Sequence, residues 1–247
     1  MRERSTEPSP DASHGGDSAE PPPERILVLV PANDEGPRIG AVVAAARVHL
    51  PVLVVDDGSS DDTAGQAEAA GATVLRLHPN RGKGSALKAG FRRALDEGWD
   101  AVVTLDADGQ HDPAEIRRFL AARRGSRADL IVGRREFRRM PPARRLANVL
   151  GGRAFSWAVG QSIPDNQSGY RLLSRRLMAA MLASEEAGFE LEVETIVVCL
   201  LAGWPLAWVP IRTIYAGEPS HIQPVRHFTS FVRMVRHARA RMRAPGP

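Results

Sequence analysis

Short apolar runs alternate with stretches of helical character through the first half of the chain, and this alternation limits the fold more than any other feature. The runs are Arg25–Val30, Val52–Val55, Thr73–Leu77 and Ala101–Leu105. They are short and mostly β-branched or leucine-rich, as strands buried on both faces are. Between them, Ile39–Leu50, the Ala-rich stretch from Asp62 or Thr63 to Ala70, and Ala86–Glu97 read as helices. Asp62 and Thr63 are both good caps for the second of these. Strand–helix units at this spacing predict an α/β chain with a mostly parallel sheet flanked by helices and joined by right-handed crossovers.

In such a sheet the carboxyl ends of the strands share one edge, which is where ligands bind. Three of these ends are acidic. Glu35 lies in the loop Pro31–Gly36, Asp56 and Asp57 follow the second strand, and Asp106-Ala107-Asp108-Gly109-Gln110 follows the fourth. In extended backbone, Asp106, Asp108 and Gln110 would point the same way. Two carboxylates and an amide oxygen suit Mg²⁺ or Mn²⁺, with remaining positions left to substrate phosphates. Each loop alone also reads as a turn, since Asp and Gly close strands commonly. Three converging on one edge favour a ligand, because carboxylates accept hydrogen bonds from sugar hydroxyls and ring N–H groups. The loop Asn80-Arg81-Gly82-Lys83-Gly84-Ser85 lacks the Gly-x-x-x-x-Gly-Lys-Ser/Thr signature. It serves equally as a structural loop or as a place where backbone N–H groups and the Lys83 ammonium meet an anion.

At 247 residues, one α/β domain with appendages is expected. Residues 1–24 are rich in Pro, Ser, Glu, Asp and Gly, read as a disordered tail, and lack the apolar segment of a secretory signal. Residues 25–224 form the expected domain, and 225–247 a basic amphipathic helix. There, Phe228, Phe231, Val232, Val235 and Met242 recur at helical spacing, with arginines largely elsewhere around the wheel. The stripe fits an in-plane membrane contact or packing against the domain. No apolar run approaches the roughly 20 residues needed to span a bilayer. The nearest, Ile196–Val209, is broken at Gly203-Trp204-Pro205 and reads as a buried helix followed by a strand. The lone Cys199 rules out an intrachain disulfide. A net charge of +4 suits an anionic partner. Nucleic acid fits poorly, since it explains neither the acidic edge nor an aromatic content of only 5%.

Five segments in order carry a resemblance: Pro31-Ala-Asn-Asp-Glu35, Val54-Val-Asp-Asp-Gly-Ser-Ser-Asp61, Arg81-Gly-Lys-Gly-Ser-Ala86, Asp106-Ala-Asp-Gly-Gln110 and Gln167-Ser-Gly-Tyr-Arg171. Together they resemble the inverting family 2 glycosyltransferases of the GT-A, Rossmann-like fold, and most nearly the dolichyl- or polyprenyl-phosphate mannose synthases. The likeness runs from about Arg25 to Ile222. It implies a donor site for a GDP- or UDP-sugar at Pro31, Asn33, Glu35, Val54, Asp56 and Lys83, with Asp106, Ala107, Arg134, Arg145 and His221 toward the phosphates. It implies a metal at Asp106, Asp108 and Gln110, and catalytic roles for Asp108, Arg134 and Glu194. Asn33 stands where the family usually has Tyr. Tyr215 and His221 stand where the mannose synthases place Arg and Lys, so phosphate grip is expected to be weaker or pH-dependent.

The implied reaction moves a hexose from the sugar nucleotide to a polyprenyl phosphate. That acceptor needs cations rather than a strong base, and Arg134 to Arg145 holds six arginines against Glu136. Such an enzyme would sit peripherally on the cytoplasmic face of a membrane. The alternative within the family is transfer from a UDP-sugar to a hydroxyl of a glycolipid or polysaccharide, with Glu190, Glu192 or His221 as base. A catalytically dead nucleotide-binding regulator is disfavoured because the metal set is intact.

Overall fold

The computed structural model describes residues 23–135, 142–184, 190–212, 214 and 224–243. Its strands are β1 (Ile26–Ala32), β2 (Val52–Asp57), β3 (Thr73–Leu77), β4 (Ala101–Thr104), β5 (Leu130–Arg135), β6 (Arg171–Ser174) and β7 (Leu206–Ile211). They form one sheet in the order β3-β2-β1-β4-β6-β5-β7. All run parallel except β6, which lies antiparallel between β4 and β5. The order reverses between β1 and β4, and it is at such a reversal that open α/β sheets leave a crevice.

Every residue of β1 is buried, and successive side chains go to opposite faces. Leu27 and Leu29 join a cluster with Leu87 and Phe91 of α3 (Lys83–Asp96). Ile26, Val28 and Val30 join a second cluster with Ile39, Val42 and Val43 of α1 (Gly36–Arg47) and Phe119 of α4 (Ile116–Ser126). Helix α2 (Thr63–Ala69) completes this second face through Ala67. Helices α5 (Pro142–Val159), α6 (Arg175–Leu182), α7 (Glu190–Leu201) and α8 (Pro224–Arg243) lie with α3 on the first. Helix α3 comes very close to β1: a Cβ on Gly90 would lie 2.3 Å from Leu29 Cδ1.

Several boundaries differ from the sequence expectation. β1 continues through Pro31 to Ala32 and β2 through Asp56 and Asp57, because the ladders persist to Ala32↔Asp56 and Asp57↔Leu77. Local propensity carries no information about a ladder partner. Helix α3 begins at Lys83, three residues early, after Gly82 takes φ +90°. At the amino-terminal side, Glu24, expected to end a disordered tail, is ion-paired with Arg123 at 2.5 Å; residues 1–22 lie outside the described residues. At the other end, Ala238 is buried and Met234, Val235 and Met242 pack on the core. That part of the apolar stripe of α8 therefore covers the domain, while Val232 stays exposed. No helix among the described residues is long and apolar enough to cross a membrane.

Candidate functional site

The first residue of α3, Lys83, reaches under the sheet edge and binds two carboxylates at once. Its Nζ lies 2.7 Å from Asp106 Oδ1 and 2.6 Å from Glu192 Oε1. Three elements far apart in sequence meet there: the start of α3, the loop after β4, and the face of α7. Burial acts to lower the Lys83 pKa, but the Asp106 and Glu192 charges outweigh it and raise the value. Burial likewise acts to raise Asp106, and Lys83, then His111, bring it down to about 2. Both groups are therefore charged at neutral pH. His111 packs behind them. The Asp106 backbone N–H donates to His111 Nδ1 at 3.4 Å, and burial keeps this imidazole below its ordinary value. The ring lies against Tyr170, which stacks on Phe119.

The loop from Asp106 to Gln110 is not extended, contrary to the sequence expectation. β4 ends at Thr104, the chain turns through Ala107 and Asp108, and Gly109 takes φ +75°. The Gln110 backbone N–H donates to Asp108 Oδ1 at 2.9 Å. The alternation argument for a common direction thus fails, since it holds only in strand backbone. What remains is the chemistry of the set, three oxygen-bearing side chains within one five-residue loop. Asp106, Asp108 and Gln110 offer oxygen alone, as Mg²⁺ and Mn²⁺ prefer. Among the described residues no group of three His, Cys, Asp or Glu is arranged to hold a metal. Two carboxylates and an amide fit the sparse protein share that Mg²⁺ takes when phosphates and water complete its shell.

On the β1–β2 side, two loops are stitched together. Asp34, at φ +54°, accepts from Ser60 N at 2.7 Å, and Asp61 accepts from Gly36 N at 2.9 Å. This holds Glu35 at the head of α1, its carboxylate 3.0 Å from Arg38. Asp56 is buried and accepts from Ser59 N at 3.0 Å, so its carboxylate closes the turn after β2. Asp57 has a different task. It accepts from Arg81 N at 3.0 Å and Gly82 N at 2.7 Å, which fixes the loop that launches Lys83. Asn33 is exposed and donates to Asp57 O. Pro31 is buried near the end of β1 and Val54 in the middle of β2, and Pro31 lines a small pocket with Lys83, Thr104, Asp106, Gly169 and Glu192.

The antiparallel β6 completes the edge from below. Its direction brings residues 165–170 to the carboxyl ends of β4 and β5. Thr104 Oγ1 donates to Gly169 O at 2.6 Å. A Cβ on Gly169 would sit 2.7 Å from Asp106 Oδ2, so only glycine fits without displacement. Arg171 is fully buried and donates to Ser168 O at 2.7 Å, Asn166 O at 3.1 Å, Glu192 O and Thr195 Oγ1. Burial lowers its pKa to about 10, so it remains a cation that ties this loop to α7. Arg135 forms a two-point pair with Asp165 at 2.7 and 2.9 Å.

The remaining expected residues lie on separate elements. Arg134 is exposed at the end of β5, and Arg145 is exposed on α5. Glu194 turns away from the pocket and pairs with Arg241 of α8 at 2.5 Å. Two residues along a helix is about 200° of rotation, so Glu192 and Glu194 cannot share a face. His221 and Tyr215 lie outside the described residues, as do residues 136–141 of the arginine-rich segment. Sequence reasoning missed the partnership of Lys83 with Asp106 and Glu192, and the role of Asp57 as a loop anchor. No local signal reports a contact across 109 positions.

With this geometry in hand, the sequence matches the family described as Glycosyl transferase family 2 over residues 27–181. Similar proteins include an undecaprenyl-phosphate mannosyltransferase of Micrococcus luteus, 31% identical over 208 residues, covering 77% of this chain and 84% of that protein. A polyprenol monophosphomannose synthase of Mycolicibacterium smegmatis is 33% identical over 208 residues, covering 77% of each. Among solved structures, glucosyl-3-phosphoglycerate synthase from Mycobacterium tuberculosis with Mn²⁺, UDP and glucosyl-3-phosphoglycerate shares the fold. It has a TM-score of 0.68 at 21% identity, over 90% of this chain and 81% of that one.

Proposed function

The chain belongs to glycosyltransferase family 2, and we propose that it is a metal-dependent inverting enzyme moving a hexose from a GDP- or UDP-sugar to a polyprenyl phosphate. One observation carries the donor half. The strand order, with its reversal between β1 and β4, supports reading the loops of Glu35 and Asp56 as the ribose and base side of one edge and Asp106, Asp108 and Gln110 as its metal-diphosphate side. The acceptor half draws support from the similar proteins named for undecaprenyl phosphate and polyprenol phosphate.

In this reading Asp106, Asp108 and Gln110 hold Mg²⁺ or Mn²⁺, which supplies charge neutralisation to the leaving diphosphate. Lys83 keeps Asp106 ionised and in place. Arg134 adds a guanidinium fork to the phosphates. An oxygen of the acceptor phosphate attacks the anomeric carbon, forming one C–O bond as the bond to the diphosphate breaks and its electron pair leaves on the nucleoside diphosphate. The attacking oxygen is already anionic, so no base is required. Glu192 is committed to Lys83, which weighs against its acting as base for a hydroxyl acceptor.

The test is thermal stabilisation by GDP, UDP, GDP-mannose and UDP-glucose, each with Mn²⁺ or with chelator, followed by transfer to polyprenyl phosphate. The expected result is a Mn²⁺-dependent shift with one nucleotide family and transfer that Asp108→Ala abolishes with the fold intact. Transfer retained by D108A would sink the metal assignment.

A further inference from the structure

We propose that the outward face shared by α5 and α8 is a docking surface for an anionic lipid bilayer. This deepens the functional reading, and rests on it, by naming the face that meets the membrane holding a lipid acceptor. On α5, Leu150, Arg153 and Trp157 follow one another at i, i+3 and i+7, so they share a stripe, and all three are exposed. On α8, Val232, Arg236 and Arg243 fall within about 40° of one another around the axis at 100° per residue, and are exposed too. The opposite side of α8 is occupied by the core through Ala238 and Met234. The two stripes are joined. Arg239 lies over the Trp157 ring at 3.2 Å from its centroid and donates to Trp157 O at 3.3 Å.

Charge and apolar surface together select the partner. Helix α5 contains three arginines and α8 six, with no Asp or Glu in either. A polyanion would suffice to match them. Yet three of the six large hydrophobic side chains exposed among the described residues, Leu150, Trp157 and Val232, are on this face. A nucleic acid gives exposed aliphatic side chains nothing to bury against. A bilayer does: arginines meet anionic headgroups, tryptophan settles at headgroup level, and aliphatic groups enter the acyl boundary.

The experiment is co-sedimentation of the full chain with vesicles of phosphatidylcholine alone or mixed with phosphatidylglycerol, over a range of salt. The expected result is binding to the anionic vesicles that salt weakens. Each arginine near such a surface contributes about fivefold in partitioning, and a reversal also adds repulsion. The R236E/R243E variant should therefore bind more than about a hundredfold less, with the nucleotide-induced thermal shift unchanged. L150S should weaken binding without altering its salt dependence. Sedimentation of R236E/R243E at the wild-type level overturns the proposal, and so does binding of duplex nucleic acid without binding of vesicles. Its failure is distinguishable from failure of the functional reading. If wild type binds vesicles but transfers no sugar to polyprenyl phosphate in any form, the functional reading falls and the surface stands. If transfer to detergent-dispersed acceptor occurs without vesicle binding, the surface falls alone.

Discussion

Replacing Lys83 by methionine should destabilise the protein by about 2 kcal/mol, and the size of the effect follows from the geometry. Methionine keeps most of the aliphatic stem and removes the ammonium, leaving Asp106 and Glu192 facing the gap with no counter-charge. Removing one member of a fully buried ion pair costs about 3–5 kcal/mol. Here the Lys83 and Asp106 side chains are 23% and 25% exposed and that of Glu192 is 10% exposed. Water reaches the site and screens the stranded charges, which brings the cost below that range, to about 2 kcal/mol. For a domain of this size, 2 kcal/mol corresponds to a fall in Tm of roughly 4–8 °C. The assay is thermal unfolding with chelator present and no nucleotide. The double variant K83M/E192Q should recover part of the loss, because neutralising Glu192 removes one of the stranded charges. A single variant that melts within about 1 °C of wild type would refute the claim that Lys83 is the electrostatic keystone of this edge.

Gly169→Ala places a Cβ 2.7 Å from Asp106 Oδ2, so the carboxylate must retreat by several tenths of an ångström. Misplacement of that size, short of the ångström that costs about a hundredfold, should lower transfer by about threefold to tenfold, and an unchanged rate would mean Asp106 is not held to its position. Glu194→Gln should cost about 0.5–1 kcal/mol through its partly exposed pair with Arg241 and leave kcat as it was; a collapse of kcat at unchanged Tm would return Glu194 to the catalytic set. Asp129 accepts from Ser174 and Arg176. Burial acts to raise its pKa, and these partners hold it below 3.8. Its folded value is depressed, so its contribution is fully present above that pH and is lost as pH falls toward the folded value. The stability gap between wild type and D129N, about 1–2 kcal/mol near neutrality, should therefore shrink in acid-unfolding curves below pH 3.8.

Much of the donor half was legible because it is written locally. The strands announce themselves through β-branched runs, and the acidic loops follow directly at their ends, so Glu35, Asp56 and Asp106 could be brought to one edge by topology alone. The shape of the Asp106–Gln110 loop was not legible. Asp-Ala-Asp-Gly-Gln is compatible with extended backbone and with a turn, and the choice fell to the positive φ of Gly109 and the bond from Gln110 N to Asp108. The orientation of Glu194 was hidden for a related reason. It shares a helix with Glu192, and which of two acids faces a pocket depends on how that helix is rotated on its neighbours.

Sequence by itself determined the α/β class, the acidic edge, the family and the oxygen-only set after β4. These depend on residue types within a few positions of one another and on general rules of chain connection. Tertiary structure alone decided that Lys83 serves Asp106 and Glu192, that a Cβ at Gly169 would crowd Asp106, that Asp57 anchors the next loop, and that the stripe on α8 divides between the core and an exposed basic face. Each of these is a contact between segments far apart in the chain. Its energy comes from burial and charge pairing, which exist only once the antiparallel β6 and the helices α7 and α8 have closed over the sheet.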